Sequence, residues 1–259
     1  MKRTPVLFPA ILLCSLLITA FVAPHNYRLT AQQPGIAATA QIGGSVSSSV
    51  SLPTVDYLSP VESEIISEMN LARTQPKAYA AFLEETKKYY SSNQLRYPGR
   101  PVETTVEGLI AIEEAISFLR AQNPLPPLKV YKGMSLAAKD QARDLGTSGN
   151  TGHKGSDGST PNVRVGRYGD WLNSIGENIV YQAATSARES VMGLIVDDGI
   201  PPRGHRKNIF DSTYNVAGIA LGERSNLGTL CVITFAGGFT EKLAGGAVAP
   251  NGKPAARKY

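Results

Sequence analysis

Cysteine usage is the feature that most constrains how this chain can fold. The sequence of 259 residues has two cysteines, and Cys14 lies in an apolar N-terminal run, Val6 to Ala23. Loss of that run would leave Cys231 alone, so no intramolecular disulfide could form. An apolar core must then hold the fold, and about 180 residues can bury enough apolar surface to do so. Because Cys231 lies within the apolar stretch 230–235, we expect it to be a small buried strand residue.

The N-terminal run is typical of an export signal. Lys2 and Arg3 precede it, and it is short for a stable membrane span. Ala23 is a candidate last signal residue, although Phe21 occupies a position that prefers a small side chain. Residues 1–23 are therefore a signal peptide or an uncleaved signal anchor. We expect a secreted or cell-envelope protein, with membrane contact only through an uncleaved signal.

Two further segments are predicted to be flexible. Residues 24–58 are small, polar and low in charge, which indicates a linker. Residues 242–259 form a basic tail. The formal charge of +5 falls by two if the signal is removed, and the remaining basic residues are scattered. A charge this mild does not favour a nucleic-acid partner.

Apolar periodicity separates helices from strands along the rest of the chain. Helices are predicted from Pro60, after a Ser59 cap, and over 107–121, 135–145, 160–168 and 187–196. A loop insertion is predicted at 91–102. Strands are predicted over 175–181, 216–221 and 229–235. Since helices and strands segregate instead of alternating, the pattern favours an α+β fold.

Three glycine-containing segments carry the candidate chemistry. They are Gly152-His153, Gly176-Glu177-Asn178-Ile179 and Gly204-His205-Arg206-Lys207-Asn208-Ile209, and apart from His25 they hold every histidine. Two imidazoles and a carboxylate that converge could bind a divalent metal or move protons near neutral pH. The plainer alternative is that each histidine satisfies loop backbone and that Glu177-Asn178 pins a strand to a helix.

In this order, the segments resemble the CAP superfamily of cysteine-rich secretory, antigen 5 and pathogenesis-related proteins, particularly its bacterial, disulfide-poor branch with SCP domains. The resemblance implies a three-layer α-β-α sandwich over 59–241, preceded by the signal segment and the flexible linker. It also aligns Met69-Asn70-Leu71-Ala72-Arg73 with the family motif His-Asn-x-x-Arg. Asn70 and Arg73 share one helix face and are expected to tie the first helix to neighbouring loops.

The same resemblance supplies a set of site residues. His153 and His205 would be the two imidazoles of a ligand cleft, and Glu177 its first acid. Asp197 is the preferred second acid and Asp198 the reserve. The resemblance also implies that Arg206 pairs with an acid and that Asn208 acts as a hydrogen-bonding clamp.

Two functions from different classes follow. The preferred one is a non-enzymatic binding module for a small, lipid-like or protein ligand, optionally loaded with a divalent metal such as zinc on His153, Glu177 and His205. The alternative is a metal-dependent extracellular hydrolase in which Glu177 is the general base. Whether the protein is an enzyme stays open at this point.

Overall fold

The computed structural model describes residues 56–181, 186–224 and 228–242. The predicted signal, nearly all of the predicted linker and the tail beyond Lys242 lie outside these residues. No helix in the described ranges combines the length and the apolar character needed to cross a membrane.

Seven α-helices and seven strands make up the described chain, together with a single 3-10 turn at Lys87–Tyr89. The helices are α1 (Pro60–Thr74), α2 (Pro76–Thr86), α3 (Leu109–Ala121), α4 (Lys132–Ser148), α5 (Pro161–Tyr168), α6 (Ala187–Val196) and α7 (Gly204–Ile209). The strands are β1 (Tyr90–Ser91), β2 (Gln94–Leu95), β3 (Glu103–Thr104), β4 (Lys129–Val130), β5 (Gly169–Tyr181), β6 (Val216–Arg224) and β7 (Gly228–Glu241).

The first helix begins where the sequence places its start signals. The backbone N–H of Glu62 donates to Ser59 Oγ at 3.3 Å, and the backbone N–H of Ser59 donates to Glu62 Oε2 at 2.7 Å. This reciprocal capping box satisfies two N–H groups that the helix itself leaves without a partner. Pro60 occupies the first turn, where its missing N–H costs nothing.

The main sheet has four strands in the order β4-β6-β7-β5. β4 runs parallel to β6, and the other neighbours are antiparallel. Successive side chains of a strand point to opposite faces, and here both faces are buried. One face packs against α1, α2, α3 and α6 through Ala217, Ile219, Cys231, Ile233 and Phe235. The opposite face packs against α4 and α5 through Val216, Ala220, Leu230, Val232 and Ala236.

This arrangement confirms the α+β class and the three-layer α-β-α sandwich. The contact between α4 and β6 is close enough to require a glycine. A Cβ at Gly218 would lie 2.1 Å from the backbone carbon of Met134, so a side chain there would push the helix off the sheet.

Several elements differ from the sequence prediction. Helix α2 was not predicted, and the three short strands β1 to β3 form a small antiparallel sheet around the predicted loop insertion. β5 begins at Gly169, well before the predicted Ile175. The prediction missed its first half because a bulge between Leu172 and Ile175 interrupts the alternation of side chains. β7 likewise continues past Phe235, since Gly237 lets the strand approach the bulge.

Asn70 and Arg73 take the structural roles expected of them. Asn70 exchanges two hydrogen bonds with the backbone of Leu128, at 2.8 and 3.1 Å. Arg73 is buried, and burial lowers its pKa to about 10. Its guanidinium donates to four backbone carbonyls, those of Pro126, Ile209, Asp211 and Tyr214.

The lone cysteine outside the N-terminal run behaves as a core residue. Cys231 is buried in the sheet, and burial raises the pKa of its thiol to about 12. A thiol in this state is a poor nucleophile. Trp171 is half-buried and packs against the apolar cluster between the sheet and α4, where it anchors the core.

Candidate functional site

The first of two histidine–carboxylate pairs joins Glu177 of strand β5 to His153 in the loop between α4 and α5. Glu177 Oε1 lies 3.0 Å from His153 Nδ1, and Glu177 Oε2 accepts a 2.7 Å hydrogen bond from Arg164 Nη2. The side chains of Glu177 and Arg164 are 1% and 2% exposed, whereas that of His153 is 54% exposed. A buried ion pair therefore holds an imidazole that faces solvent.

The Gly152-His153 loop is fixed from three sides. The N–H of Gly152 donates to Tyr181 Oη at 2.7 Å, and Gln141 Nε2 donates to the Gly152 carbonyl at 2.9 Å. Arg164 donates to the His153 carbonyl at 3.2 Å from both terminal nitrogens. The φ of Gly152 is +95°, a conformation that favours glycine, which explains the glycine before the histidine.

The second pair joins the end of α6 to the start of α7. His205 Nδ1 lies 2.7 Å from Asp197 Oδ1, and the backbone N–H of His205 donates to Asp197 Oδ2 at 2.9 Å. The side chain of Asp197 is 1% exposed and that of His205 is 20% exposed. Asp197 ends α6 in the left-handed conformation, with φ +55°. This turn aims the carboxylate at the next helix.

Asp198, the reserve choice, lies elsewhere. Its carboxylate accepts hydrogen bonds from the backbone N–H groups of Val106, Glu107 and Gly108, just before α3. Of the two adjacent acids, the structure thus brings Asp197 to His205 and uses Asp198 to hold a loop.

Two arginines support the second pair. Arg203 donates to the Asp197 carbonyl at 2.8 Å and pairs with Glu107 and Glu114. Arg206 pairs with Glu114 at 2.9 Å, as the resemblance implied. Hydrogen bonds from Arg203 are the main cause that lowers the pKa of both glutamates, while burial lowers the pKa of Arg206.

The two pairs are linked through neighbouring residues of β5. Asn178 Nδ2 donates to the His205 carbonyl at 3.1 Å, and Asn208 Nδ2 donates to Asn178 Oδ1 at 2.8 Å and to the Glu177 carbonyl at 3.3 Å. Asn208 is therefore the clamp that the resemblance implied. Within the described part of the chain, no hydrogen bond joins one histidine–carboxylate pair directly to the other.

The chemistry open to this arrangement follows from the ring nitrogens. An ionised carboxylate accepts from Nδ1–H, which fixes the tautomer and leaves the Nε2 lone pair of the neutral ring available. Neither imidazole hydrogen-bonds to a serine, threonine or cysteine side chain among the described residues. Over the same residues, no group of three or more His, Cys, Asp or Glu side chains is placed to hold a metal ion.

Arg164 is the site residue that sequence reasoning missed. It lies in α5 between Val163 and Val165, and nothing in its spacing distinguishes it from exposed Arg167 on the same helix. Its burial becomes visible only once α5 packs on β5. Gln141, fully buried in α4, was missed for the same reason.

Comparison with known proteins bears on the family. The model of the family described as "CAP: Cysteine-rich secretory protein family" matches residues 90–235. No curated protein matches the chain. The matched range covers both histidine–carboxylate pairs but begins after α1, so Asn70 and Arg73 lie outside it.

Three solved structures are similar to this chain. An outer surface protein from Borrelia burgdorferi shares 18% identity at a TM-score of 0.38, over 52% of this chain and 91% of that one. An extracellular protein containing an SCP domain from Bacillus anthracis shares 19% identity at 0.35, over 49% and 39%. A cysteine-rich secretory protein from Staphylococcus aureus shares 15% identity at 0.30, over 50% and 38%.

Proposed function

The chain belongs to the CAP family, the cysteine-rich secretory protein family, and we propose that it is an exported, non-enzymatic binding protein whose ligand contacts His153 and His205. The ligand is a small, lipid-like or protein molecule that presents a polar group to the two imidazoles. Export is supported by the basic and apolar N-terminal pattern, and the site of action is the cell envelope or the medium.

One observation carries this proposal: in both pairs the carboxylate is buried and the imidazole side chain is the more exposed partner, by more in His153 than in His205. Glu177 and Asp197 are each 1% exposed, whereas the rings of His153 and His205 are 54% and 20% exposed. Holding a polar ring in one orientation at the surface reduces the entropy lost when a ligand binds to it. Such a design favours recognition at the outer ring nitrogen.

The hydrolase alternative receives less support from the same geometry. A general base must be free to accept a proton from a positioned water. Both oxygens of Glu177 are already engaged, one by His153 and the other by the guanidinium of Arg164. In addition, neither histidine has a hydroxyl or thiol partner in the described ranges, so neither pair is placed to activate a serine, threonine or cysteine there.

Metal loading stays a prediction, and the structure changes which atoms would take part. The carboxylate oxygens of Glu177 and Asp197 are occupied by hydrogen bonds, so the three-ligand set of His153, Glu177 and His205 does not fit as it stands. A divalent ion would instead rely on the imidazoles, with the carboxylates holding the rings through Nδ1, an arrangement common among ligating histidines. When bound, such an ion would supply a coordination position for an anionic group of the ligand.

The direct test is ligand retention by the full chain purified from its own secretion. Native mass spectrometry and lipid extraction should find a retained molecule in the wild type that is lost from the His153→Ala, His205→Ala double variant. The Lys154→Ala, Lys207→Ala double variant is the matched control, because it changes two exposed residues close to the histidines and leaves both imidazoles in place. Equal retention by the double variant, or no ligand in a lipid and envelope-fragment screen, would contradict the proposal.

Two measurements separate the alternatives. Zinc titration by calorimetry should show whether the two imidazoles bind a metal, since that affinity must disappear in the double histidine variant and persist in the Lys154→Ala, Lys207→Ala variant. Peptide and ester libraries test hydrolysis. Activity that depends on Glu177, shown by its loss in a Glu177→Gln variant that is still folded at the assay temperature, would establish the hydrolase instead.

Export has its own test. N-terminal sequencing of secreted protein should begin between Pro24 and the serine stretch near Ser45, because signals run for about 15–30 residues. Intact Met1 in a membrane fraction would establish the uncleaved signal anchor, and intact Met1 in the cytoplasm would contradict export.

A further inference from the structure

A polar cavity lies beside the candidate site, between α4, α5 and the loop 155–159. Its volume is about 340 Å³, and His153, Glu177, Asp197 and His205 are not among the residues that line it. This volume is near the lower end of ligand pockets, which suits a molecule of monosaccharide size. Arg164 forms part of its wall while also bonding to Glu177.

A buried amide points an unpartnered oxygen towards this cavity. Gln141 is 0% exposed, and its Nε2 donates to the Gly152 carbonyl, which fixes the orientation of the amide. Its Oε1 is buried and has no hydrogen-bond partner among the described residues. A buried carbonyl without a partner is unfavourable, so a hydrogen-bond donor from outside the chain would stabilise this oxygen.

Two more oxygens converge on the same place. A Cβ built on Gly155 would lie 2.7 Å from Asp157 Oδ1, 2.8 Å from Ser159 Oγ and 3.6 Å from Gln141 Oε1. All four residues line the cavity. These short distances leave no space for a side chain, so the glycine lets the 155–159 loop pack closely against the three oxygens. Asp157 Oδ1 already accepts from the Ser159 backbone N–H at 2.8 Å, whereas Gln141 Oε1 has no partner among the described residues.

The charges around the cavity decide what kind of donor fits. Three aspartates and three arginines line it: Asp140, Asp144, Asp157, Arg143, Arg164 and Arg167. Arg167 bonds to Asp140 at 2.9 Å and to Asp157 at 2.6 Å, so these charges largely cancel. A balanced lining gives no preference for a charged ligand, and the arginines repel a bare metal cation. Hydroxyl groups suit the mixture, because each can donate to a carboxylate and accept from a guanidinium.

We propose that this cavity binds a neutral, polyhydroxylated ligand of monosaccharide size, with a hydroxyl donating to Gln141 Oε1. The cavity shares Arg164 and Gln141 with the residues that support His153 and Glu177, but the proposal does not depend on the ligand proposed for the two pairs. It faces the α4 and α5 layer of the fold.

The test is NMR titration of the full chain with glucose, mannose and N-acetylglucosamine as probes. At least one sugar should cause saturable shifts of the Gln141 side-chain amide and the Ser159 backbone amide below about 100 mM. Gln141→Met should weaken that affinity about tenfold or more, while the matched Gln122→Met, at the end of α3, should leave it unchanged.

A second variant and two charged probes provide further tests of the proposed site. Thr147→Tyr, at an exposed position of the cavity wall, should also weaken binding and serves if Gln141→Met does not fold. Titrations with free glycine and with calcium chloride test whether the cavity binds a zwitterion or a metal cation instead. Saturable shifts with either of these but with no sugar would overturn the ligand class, and no saturable shift with any sugar would overturn the site.

Discussion

The two histidine–carboxylate pairs reach the same local geometry by different routes. Asp197 and His205 are eight residues apart and meet across one turn between helices, whereas His153 and Glu177 are 24 residues apart and belong to a loop and a strand. The contact between Asp197 and His205 is nearly local in sequence. The contact between His153 and Glu177 exists only because α5 and the 149–159 loop pack against β5.

The charges that support the pairs differ in the same way. Glu177 shares a buried ion pair with Arg164, whose side chain is 2% exposed. The network around His205 includes Glu114, whose side chain is 46% exposed. Breaking a buried ion pair leaves an uncompensated charge, while a partly exposed pair is replaced by water. We therefore expect the first pair to be the more sensitive to mutation.

The largest expected effect follows from removing Arg164. Arg164→Met leaves the Glu177 carboxylate buried without its cation, which should lower the free energy of unfolding by about 3–5 kcal/mol. Urea unfolding of the wild type, of Arg164→Met and of the control Arg167→Met measures this. Arg167→Met, in the same helix but 39% exposed, should cost about 1 kcal/mol or less. Equal losses would show that burial does not distinguish the two arginines.

A smaller effect is expected from the acid of the second pair. Asp197→Ala removes two hydrogen bonds to His205 and should cost about 2 kcal/mol. It should also release the His205 ring, which nitrogen NMR would report as loss of a pure Nδ1–H tautomer in the neutral ring. Asp198→Ala is the control: it removes three hydrogen bonds to the backbone before α3 and should leave the ring unchanged. The reverse result would make Asp198 the partner of the imidazole.

The loop of the first pair can be loosened without touching its charges. Tyr181→Phe removes the hydroxyl that accepts from the N–H of Gly152, which should cost about 1 kcal/mol. Hydrogen exchange should accelerate at Gly152 and His153 and stay constant in α7. Unchanged exchange at Gly152 would mean that Gln141 and Arg164 suffice to hold this loop.

The smallest effect concerns acid stability of the second pair. The pKa of Glu114 is lower in the folded chain than its ordinary 4.5. Its pairing therefore stabilises the fold above that ordinary pKa, and the stabilisation is lost as the pH falls through the folded pKa. Between pH 6 and 3, Glu114→Gln should show a melting temperature that falls less than that of the wild type, by about 2 °C. Glu113→Gln, beside it on α3, should follow the wild type.

Much of the fold could be predicted from the sequence because burial leaves a periodic record. The continuous apolar runs of β6 and β7 and the capping residues at the start of α1 are both visible in the chain. The bulge in β5 was not, since the irregular segment near Asn173 breaks the alternation on which strand prediction depends. The short strands β1 to β3 were missed because two-residue strands carry no period at all.

The candidate site divides in the same way. His153, Glu177 and His205 were predicted from their segments, and Asp197 from its register before the second histidine. Their pairing was not predicted, and the expected common metal set differs from the two separate pairs seen here. Arg164 and Gln141 left no signal, because a polar residue that becomes buried looks in sequence like one that stays exposed.

By itself, the sequence determined a core without disulfides, two closing strands and three segments that hold the imidazoles and their acid. These features are local, since they depend on residue type and on spacing within one helix or strand. Only the tertiary structure decided which carboxylate meets which imidazole, and that Glu177 is shared with Arg164. Hydrogen-bond partners far apart in sequence are chosen by how helices pack on the sheet, and that packing brings α5 onto β5.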